Sequence, residues 1–491
     1  MSSQKRPPAP ARHPSGPISS PYSKRPSPTP TNTGEKHAPQ APKSKPDAKR
    51  TGTRSFSPQP SGFPTHPPKS APALPRPKLP SPCAMVSRRA SESLRSGHLW
   101  VYASDVEQIE LRPGNPPSLI PVVDNRGIPL GTALYSPISQ IALRLVSREL
   151  ITEAQWLTQL AERLRAAIHR RLPLLNAETN ACRLVFSEAD NLPGVIIDNY
   201  AGIVVLQLLA KGLDNAETRN TCVEVIRKEL GSADLTIWER PDPRIRELEG
   251  LSAPTTTPLF SNHPEAPQSS TQFRLNGLIF HFDVNSGQKT GAFLDQRQNY
   301  AAAATWAKAL GLRKALDVCT YQGGFALHLA QVCEHVTGID ASRSSLEVAE
   351  RNLESNRKEI KAAVEWVEAD AFEILRAWSE SKDSETSQWD LIVLDPPAFA
   401  KSKRAVEGAL RGYKELNLRA LRMIRPGGLL ITCSCSHHVS WGDLESAVAS
   451  AAVDTSRRVT LLERRGAAQD HPVVFNLPET EYLKCLICQV S

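Results

Sequence analysis

The stretch Leu391-Ile-Val-Leu-Asp-Pro-Pro-Ala-Phe399, read together with Leu430-Ile-Thr-Cys-Ser-Cys-Ser436, decides how this chain folds. Each is a short apolar run ending in reactive groups. The first delivers a carboxylate, Asp395, on a stiff Pro-Pro turn with Phe399 close behind. The second delivers two thiols, Cys433 and Cys435. Runs of this kind read as strands buried on both faces, and in open α/β sheets ligands sit at the carboxyl ends of such strands. A carboxylate, an aromatic platform and a thiol at neighbouring strand ends suit chemistry on a flat heterocycle such as a nucleobase.

Working outward, residues 271–491 alternate strand and helix, the pattern of a parallel sheet covered on both faces. Strands are expected at Lys314–Val318, His335–Ile339, Glu365–Glu368, Leu391–Leu394 and Gly428–Thr432. A last hairpin, Val473–Asn476 with Glu481–Val490, would close the sheet edge. Leu316-Asp-Val-Cys-Thr-Tyr-Gln-Gly-Gly-Phe-Ala326 runs from a strand through Gly323-Gly324 into a helix, and glycines there let backbone approach a ligand closely. The spacing is not GxGxxG, which disfavours a dinucleotide pyrophosphate. Asp317, Asp340, Asp370 and Asp395 then fall on four successive strand ends. Asp340 suits a ribose diol, and Asp370 or the next amide, at Ala371, suits an adenine edge. An adenosine with a cationic centre and no phosphate fits this series, which is S-adenosylmethionine.

Upstream, residues 84–150 read as short strands with turns, a small β-barrel. Leu119–Asp124 carries Pro121, which suggests a sheet edge. Residues 151–173 form a helix with Ala154, Leu157, Leu160, Ala161 and Leu164 on one face. Strands near Arg183–Ser187, Gly194–Asn199, Ile203–Leu209 and Leu235–Glu239, with a helix over 215–230, complete a compact α+β unit. Residues 240–270 are polar and Pro-rich and read as a linker or loop.

Of 41 prolines, 22 lie in residues 1–82, which cannot bury enough apolar surface to fold; residues 1–83 are expected to be a disordered tail. Residues 1–80 hold 14 Lys+Arg against 2 Asp+Glu, leaving 45 basic and 49 acidic residues in the remainder. The overall charge of +8 thus belongs to the tail, and RNA binding by the folded body must come from local patches. The tail has no continuous apolar region of a secretory signal, although it is Ser-rich and acid-poor as plastid transit peptides are. The recognisable sequence begins just after Met85, an alternative start. Nine cysteines in 491 residues make no disulfide framework, which points to a reducing compartment, the cytoplasm. Cys485-Leu-Ile-Cys488 has no second pair to complete a zinc site and reads as buried core, so no metal is expected. No apolar run reaches the roughly 20 residues of a membrane helix.

Taken with these features, Ser286-Gly-Gln-Lys-Thr-Gly-Ala-Phe-Leu-Asp-Gln-Arg297, Arg411-Gly-Tyr-Lys-Glu-Leu-Asn417 and Asp395-Pro-Pro-Ala-Phe399 resemble motifs of the RlmI-like family of ribosomal RNA cytosine-C5 methyltransferases. Phe186-Ser-Glu-Ala-Asp-Asn-Leu-Pro-Gly-Val-Ile-Ile-Asp198 resembles that family's central domain, and Arg95-Ser-Gly-His-Leu-Trp-Val-Tyr102 the start of a PUA domain, a small RNA-binding barrel. The resemblance covers roughly residues 88–491. It implies an α/β class I methyltransferase (Rossmann-like) domain over 266–491, a PUA barrel over 84–150, a central domain over 151–265, ribosomal RNA as partner and a homodimer.

It further implies that Lys289, Thr290, Asp295, Gln296 and Arg297 close the S-adenosylmethionine site, beside Asp317, Tyr321, Gly323, Gly324, Phe325, Asp340, Asp370, Ala371 and Asp395. Cys435 stands where the family carries its nucleophile, and Cys433 reads as structural. A thiolate adding to C6 of cytosine makes C5 nucleophilic, while Asp395 holds the base edge. Pro396, Pro397, Phe399 and Tyr413 are the expected substrate contacts. His437 and His438 stand next to Cys435. Relatives outside the family carry a second cysteine where this chain has Pro397, so the base that removes the C5 proton is unassigned. Two other readings remain: methylation of an exocyclic amine such as guanine N2 through Asp395, and an RNA-binding protein without catalysis.

Overall fold

The computed structural model describes residues 80–114, 116–240, 242–251, 255–286, 290–383 and 387–491. The tail expected over 1–83 lies outside these residues up to position 79, as does Lys289.

The first module is a six-stranded sheet in the order Trp100–Tyr102, Ile141–Ser147, Pro129–Tyr135, Leu119–Val123, Cys83–Val86, Val106–Glu110. Its core gathers Val86, Leu94, Val101, Ile120, Leu143 and Leu145. Leu119–Val123 is an interior strand, contrary to the edge position that Pro121 suggests. Pro121 pairs with Thr132 on one side, while pairing on the other side begins only at Val122, so the missing N–H is not required. The strand Cys83–Val86 starts two residues ahead of Met85, and Cys83 and Ala84 are fully buried.

Next comes a five-stranded sheet in the order Phe260–Ser261, Thr236–Glu239, Ile203–Leu208, Val195–Tyr200, Ala181–Phe186. The helix Glu153–Arg171, opened by a Thr152/Gln155 capping box, and the helix Ala216–Leu230 cover one face. Ile203–Leu208 alternates between two cores. Val204 and Leu206 meet Leu160, Leu164 and Ile226, whereas Ile203 and Val205 meet Phe273, Phe280 and Phe282 of the following segment. The expected linker is in part ordered: Asp242 caps a helix, Pro243–Glu249, and Phe260–Ser261 joins the sheet. Buried Glu249 pairs with Arg144 of the first module at 2.7 Å.

A hairpin, Ser270–Leu275 with Leu278–Asp283, leads into the last sheet. Its turn is Asn276-Gly277, with φ of +51° and +88°, the left-handed pair a two-residue hairpin requires. The sheet strands are β1 (Lys314–Val318), β2 (His335–Asp340), β3 (Ala363–Glu368), β4 (Trp389–Leu394), β5 (Ile424–Ser434), β6 (Val459–Arg465) and β7 (Lys484–Val490). They stand in the order β3-β2-β1-β4-β5-β7-β6, parallel except for β7 against β5 and β6 against β7. The helices are α1 (Arg297–Ala309), α2 (Gly324–Ala330), α3 (Arg343–Ser355), α4 (Ala371–Glu380), α5 (Val406–Met423) and α6 (Trp441–Asp454). The closing hairpin is formed by β6, not by the expected Val473–Asn476, where only an isolated Val474–Leu477 bridge occurs. Strand β6 ends Glu463-Arg-Arg465 and is half-exposed; charge on an edge strand hides its periodicity while protecting the edge.

Candidate active site

Strand order reverses between β1 and β4, and a cavity of about 580 Å³ opens at their carboxyl ends. Of the residues expected there, Asp295, Gln296, Tyr321, Gly324, Phe325, Asp340, Asp370, Ala371, Asp395, Pro396, Pro397, Phe399 and Cys435 line it. The loop after β1 is bent hard. Cys319 and Tyr321 take φ of +64° and +53°, and Gly323 takes +85° before α2 begins. Left-handed non-glycine residues cost of order 1–3 kcal/mol each and persist where surrounding contacts enforce them. Here the Tyr321 amide donates to Asp340 at 2.9 Å and the Tyr321 hydroxyl to the Gly291 carbonyl at 3.1 Å. A Cβ on Gly324 would meet the Tyr300 ring at 2.5 Å, so the loop fits only with glycine there.

The carboxylates differ in how much capacity they keep. Asp340 accepts from the amides of Tyr321 and Ser342, each at 2.9 Å, one on each oxygen. Asp370 caps α4 through one oxygen, accepting from Phe372 and Glu373. Asp395 accepts from Gln296 Nε2 at 2.9 Å. Phe399 stands behind the Pro-Pro turn, 4.9 Å from the Tyr413 ring and 5.8 Å from Phe372.

The two thiols of β5 separate because the strand stops at Ser434. Cys433 is fully buried opposite Cys485, and burial and that neighbour push its pKa well up. Cys435 lies past the strand end, half-buried, with Sγ 3.9 Å from the Pro396 carbonyl and open to the cavity. Cys319 also lines the cavity, but burial, followed by Asp340 and Asp395, pushes its thiol up.

Several expected contacts lie behind the cavity wall. Thr290 donates to Asp198 at 2.5 Å and shares a 2.8 Å hydrogen bond with Tyr200. Arg297 is buried against Asp470 at 3.3 Å and the Ala181 carbonyl at 3.2 Å. Asp317 lies under the loop, accepting from Thr320 and the Ala326 amide. Gly323 shapes the turn without lining the cavity. Tyr413, 1% exposed, bonds Ser434 and Ser436 and braces the turn that carries Cys435. These five residues shape the site rather than its surface. The site also holds residues missed in the sequence: Phe293, Gln322, Phe372 and Leu483 line it, and Tyr482 donates to Asp295. Tyr482 and Leu483 directly precede β7, a strand whose neighbour across the sheet is β5. Among the described residues, no cluster of three or more His, Cys, Asp or Glu is arranged to hold a metal, and no helix is long and apolar enough to cross a membrane.

Comparison with known families gives two matches, a PUA-like domain at residues 85–148 and an S-adenosylmethionine-dependent methyltransferase at 263–472. Fold and site thus define a class: S-adenosylmethionine-dependent methyltransferases preceded by a PUA-like module. Similar chains include ribosomal RNA large subunit methyltransferase I of Pseudoalteromonas translucida, 35% identical over 405 residues (81% of this chain, 97% of that one). The enzyme of the same name from Salmonella arizonae is 33% identical over 414 residues, covering 83% and 98%. The chain belongs to the ribosomal RNA large subunit methyltransferase I family. A candidate SAM-dependent methyltransferase from Streptococcus mutans shares the fold at a TM-score of 0.66 and 19% identity, over 82% of this chain and 98% of that one. Another solved methyltransferase, complexed with SAH, does so at 0.65 and 20%, with the same coverage.

Proposed function

We propose that this protein methylates C5 of a cytosine in large-subunit ribosomal RNA through a covalent adduct on Cys435. The observation that carries the reading is the placement of Cys435 Sγ and the Asp395 carboxylate on one cavity wall, joined through the Pro396 carbonyl. The names of the curated relatives support the RNA substrate. The residues fit S-adenosylmethionine: Asp340 and Asp370 line the cavity and keep acceptor capacity on the β2 and β3 sides. When bound, that cofactor supplies a methyl group on a sulfonium sulfur.

In this reading Tyr321, Gly324, Phe325, Asp340, Asp370 and Ala371 hold the cofactor, with Asp295 and Gln296 closing over it. Thr290, Arg297, Asp317 and Gly323 hold those residues in place. The target cytosine leaves its stack or comes from an unpaired loop. Phe399 and the Pro396-Pro397 turn receive its face, and Asp395, steadied by Gln296, holds N3 and the exocyclic amine. The Cys435 thiolate forms a bond to C6, and the C5–C6 π pair becomes the bond from C5 to the methyl carbon as that carbon's bond to sulfur breaks. Transfer of the C5 proton to a base or water leaves the C5–H pair to re-form the C5–C6 double bond as the C6–S bond breaks, freeing the thiolate. Residues 84–150 act as the RNA-holding PUA module, 151–265 as the central domain and 266–491 as the methyltransferase domain, in a cytoplasmic homodimer.

The test incubates purified protein with S-adenosylmethionine and unmodified large-subunit ribosomal RNA, followed by nucleoside mass spectrometry. 5-Methylcytidine is expected. Methylguanosine instead would sink the C5 chemistry in favour of an amine reaction at Asp395, and no product from either free RNA or assembled subunits would sink the substrate.

A further inference from the structure

Lys484 opens β7 and is 2% exposed. Its ammonium donates to the Ser436 carbonyl at 3.0 Å, and among the described residues no carboxylate stands within ion-pair distance. A buried ammonium without a counter-charge is costly, and its charged form is disfavoured unless an anion lies close. Burial does lower the Lys484 pKa. The strongest opposing influence is Cys435, ahead of Glu481 and Asp443. The residue whose carbonyl Lys484 holds, Ser436, directly follows the thiol, and its hydroxyl is bound to Tyr413 and to the Ala400 amide. One lysine therefore touches the turn that presents Cys435 and bears on its charge.

Asp395 comes from the end of β4 and disfavours an anion beside it. Tyr413 from α5 and Tyr482 before β7 both have their hydroxyls pushed up, chiefly by burial, and are neutral at pH 7. His437 rests on the Tyr482 ring at 5.5 Å. Cys319 across the cavity is likewise neutral.

We propose that Lys484 is a positioning residue for the reaction, its buried ammonium serving as the counter-cation that holds Cys435 as a thiolate. The proposal rests on Cys435 being the nucleophile. It goes beyond that reading by naming what makes this thiol, and none of the other eight, reactive. The nucleophile of a thiol enzyme is the thiolate, and a neighbouring lysine is one of the groups that lowers a cysteine's pKa.

The experiment follows iodoacetamide alkylation of Cys435 in the full chain, by peptide mass spectrometry, from pH 5.5 to 9.5. Lys484→Met is expected to move the midpoint for Cys435 upward by about one pH unit or more, and Lys484→Arg to restore most of it. Lys484→Gln keeps a donor for the Ser436 carbonyl without the charge. It should shift the midpoint as Met does, and it carries the test if the Met variant does not fold. An unmoved midpoint in a folded Met or Gln variant overturns the role of Lys484. Turnover retained by Cys435→Ala, measured separately, removes the nucleophile reading itself, whatever the midpoint does.

Discussion

Asp470 and Asp317 are both buried carboxylates, and their surroundings drive them in opposite directions. Asp470 sits where the central sheet meets the methyltransferase sheet. Burial alone would raise its pKa, but His471, Arg297 and the Arg183 amide outweigh burial and hold it at about 2. Around it Arg171 pairs with Asp190 at 2.7 Å and Arg183 with Asp198 at 2.8 Å. Asp317 sits beneath the loop that follows β1. Burial pushes it up to about 7; the Thr320 hydroxyl and Ala326 amide do not cancel that, and Asp340 adds to it. One of its oxygens has no hydrogen-bond partner among the described residues. The seam between modules is a saturated network in which every charge has an opposite. The floor of the cavity is left short of positive charge. Saturated burial holds a structure together, whereas unsaturated burial leaves capacity that a ligand can fill.

The contrast is sharpest at the reacting edge. Cys435→Ala removes the thiol that stands past the end of β5 and lines the cavity, and 5-methylcytidine formation is expected to fall by on the order of 10³-fold or more. Nucleoside mass spectrometry reads this directly. Retention of more than a tenth of the activity would place the reaction elsewhere on the wall.

Asp470→Ala tests the other region. It leaves Arg297, 4% exposed, facing the Ala181 carbonyl without a counter-charge. Breaking a buried pair in this way costs about 3–5 kcal/mol. Denaturant unfolding followed by tryptophan fluorescence should show that loss, with a lower midpoint. A loss under about 1 kcal/mol would mean that the seam is not the saturated network its geometry describes.

The pH dependence separates the two aspartates. Asp470, held below its unfolded value, contributes stability that is complete above about pH 4 and is lost as pH falls toward 2. Asp317, held above its unfolded value, binds its proton more tightly in the folded state. Stability is therefore lost as pH rises from about 4 through 7. The second effect is at most roughly 4 kcal/mol. Asp317→Asn removes the titration, and its stability is expected to stay flatter than wild type between pH 4 and 8. Equal slopes in the two proteins would break the contrast.

How much of this was legible in the sequence follows from how far apart the cooperating residues stand. Asp340, Asp370 and Asp395 are read from strand ends, because a parallel sheet places all its carboxyl ends on one side, and all three line the cavity. Thr290, Arg297 and Tyr413 belong to motifs next to the cavity but face away from it. Motif membership gives the segment, and only packing decides which side chain turns inward. Tyr482 and Lys484 could not be anticipated from spacing, since β7 reaches the site by antiparallel pairing with β5 across nearly fifty residues of chain. The β6 strand was hidden by its charges. Asn276-Gly277 between alternating apolar runs marks the turn of the hairpin before the first sheet strand.

Phe399 supplies the smallest and most specific test of the comparison. Its ring is half-buried, packs against Tyr413 and Phe372, and lines the cavity. If the cavity wall exists to receive a flat base, truncation should cost binding before it costs fold. Stacking of a base on an aromatic contributes about 1–3 kcal/mol, so Phe399→Ala should raise KM for RNA by roughly 5- to 150-fold. Phe399→Tyr or Phe399→Trp should keep much of the affinity, because each retains a face on the same backbone. Thermal stability should change less than in the Asp470 variant, since the ring is only half-buried. A Phe399→Ala enzyme with unchanged KM but a stability loss as large as that of Asp470→Ala would make the ring part of the core. It would then belong with the saturated seam, and the base-receiving surface would have to lie elsewhere along the cavity.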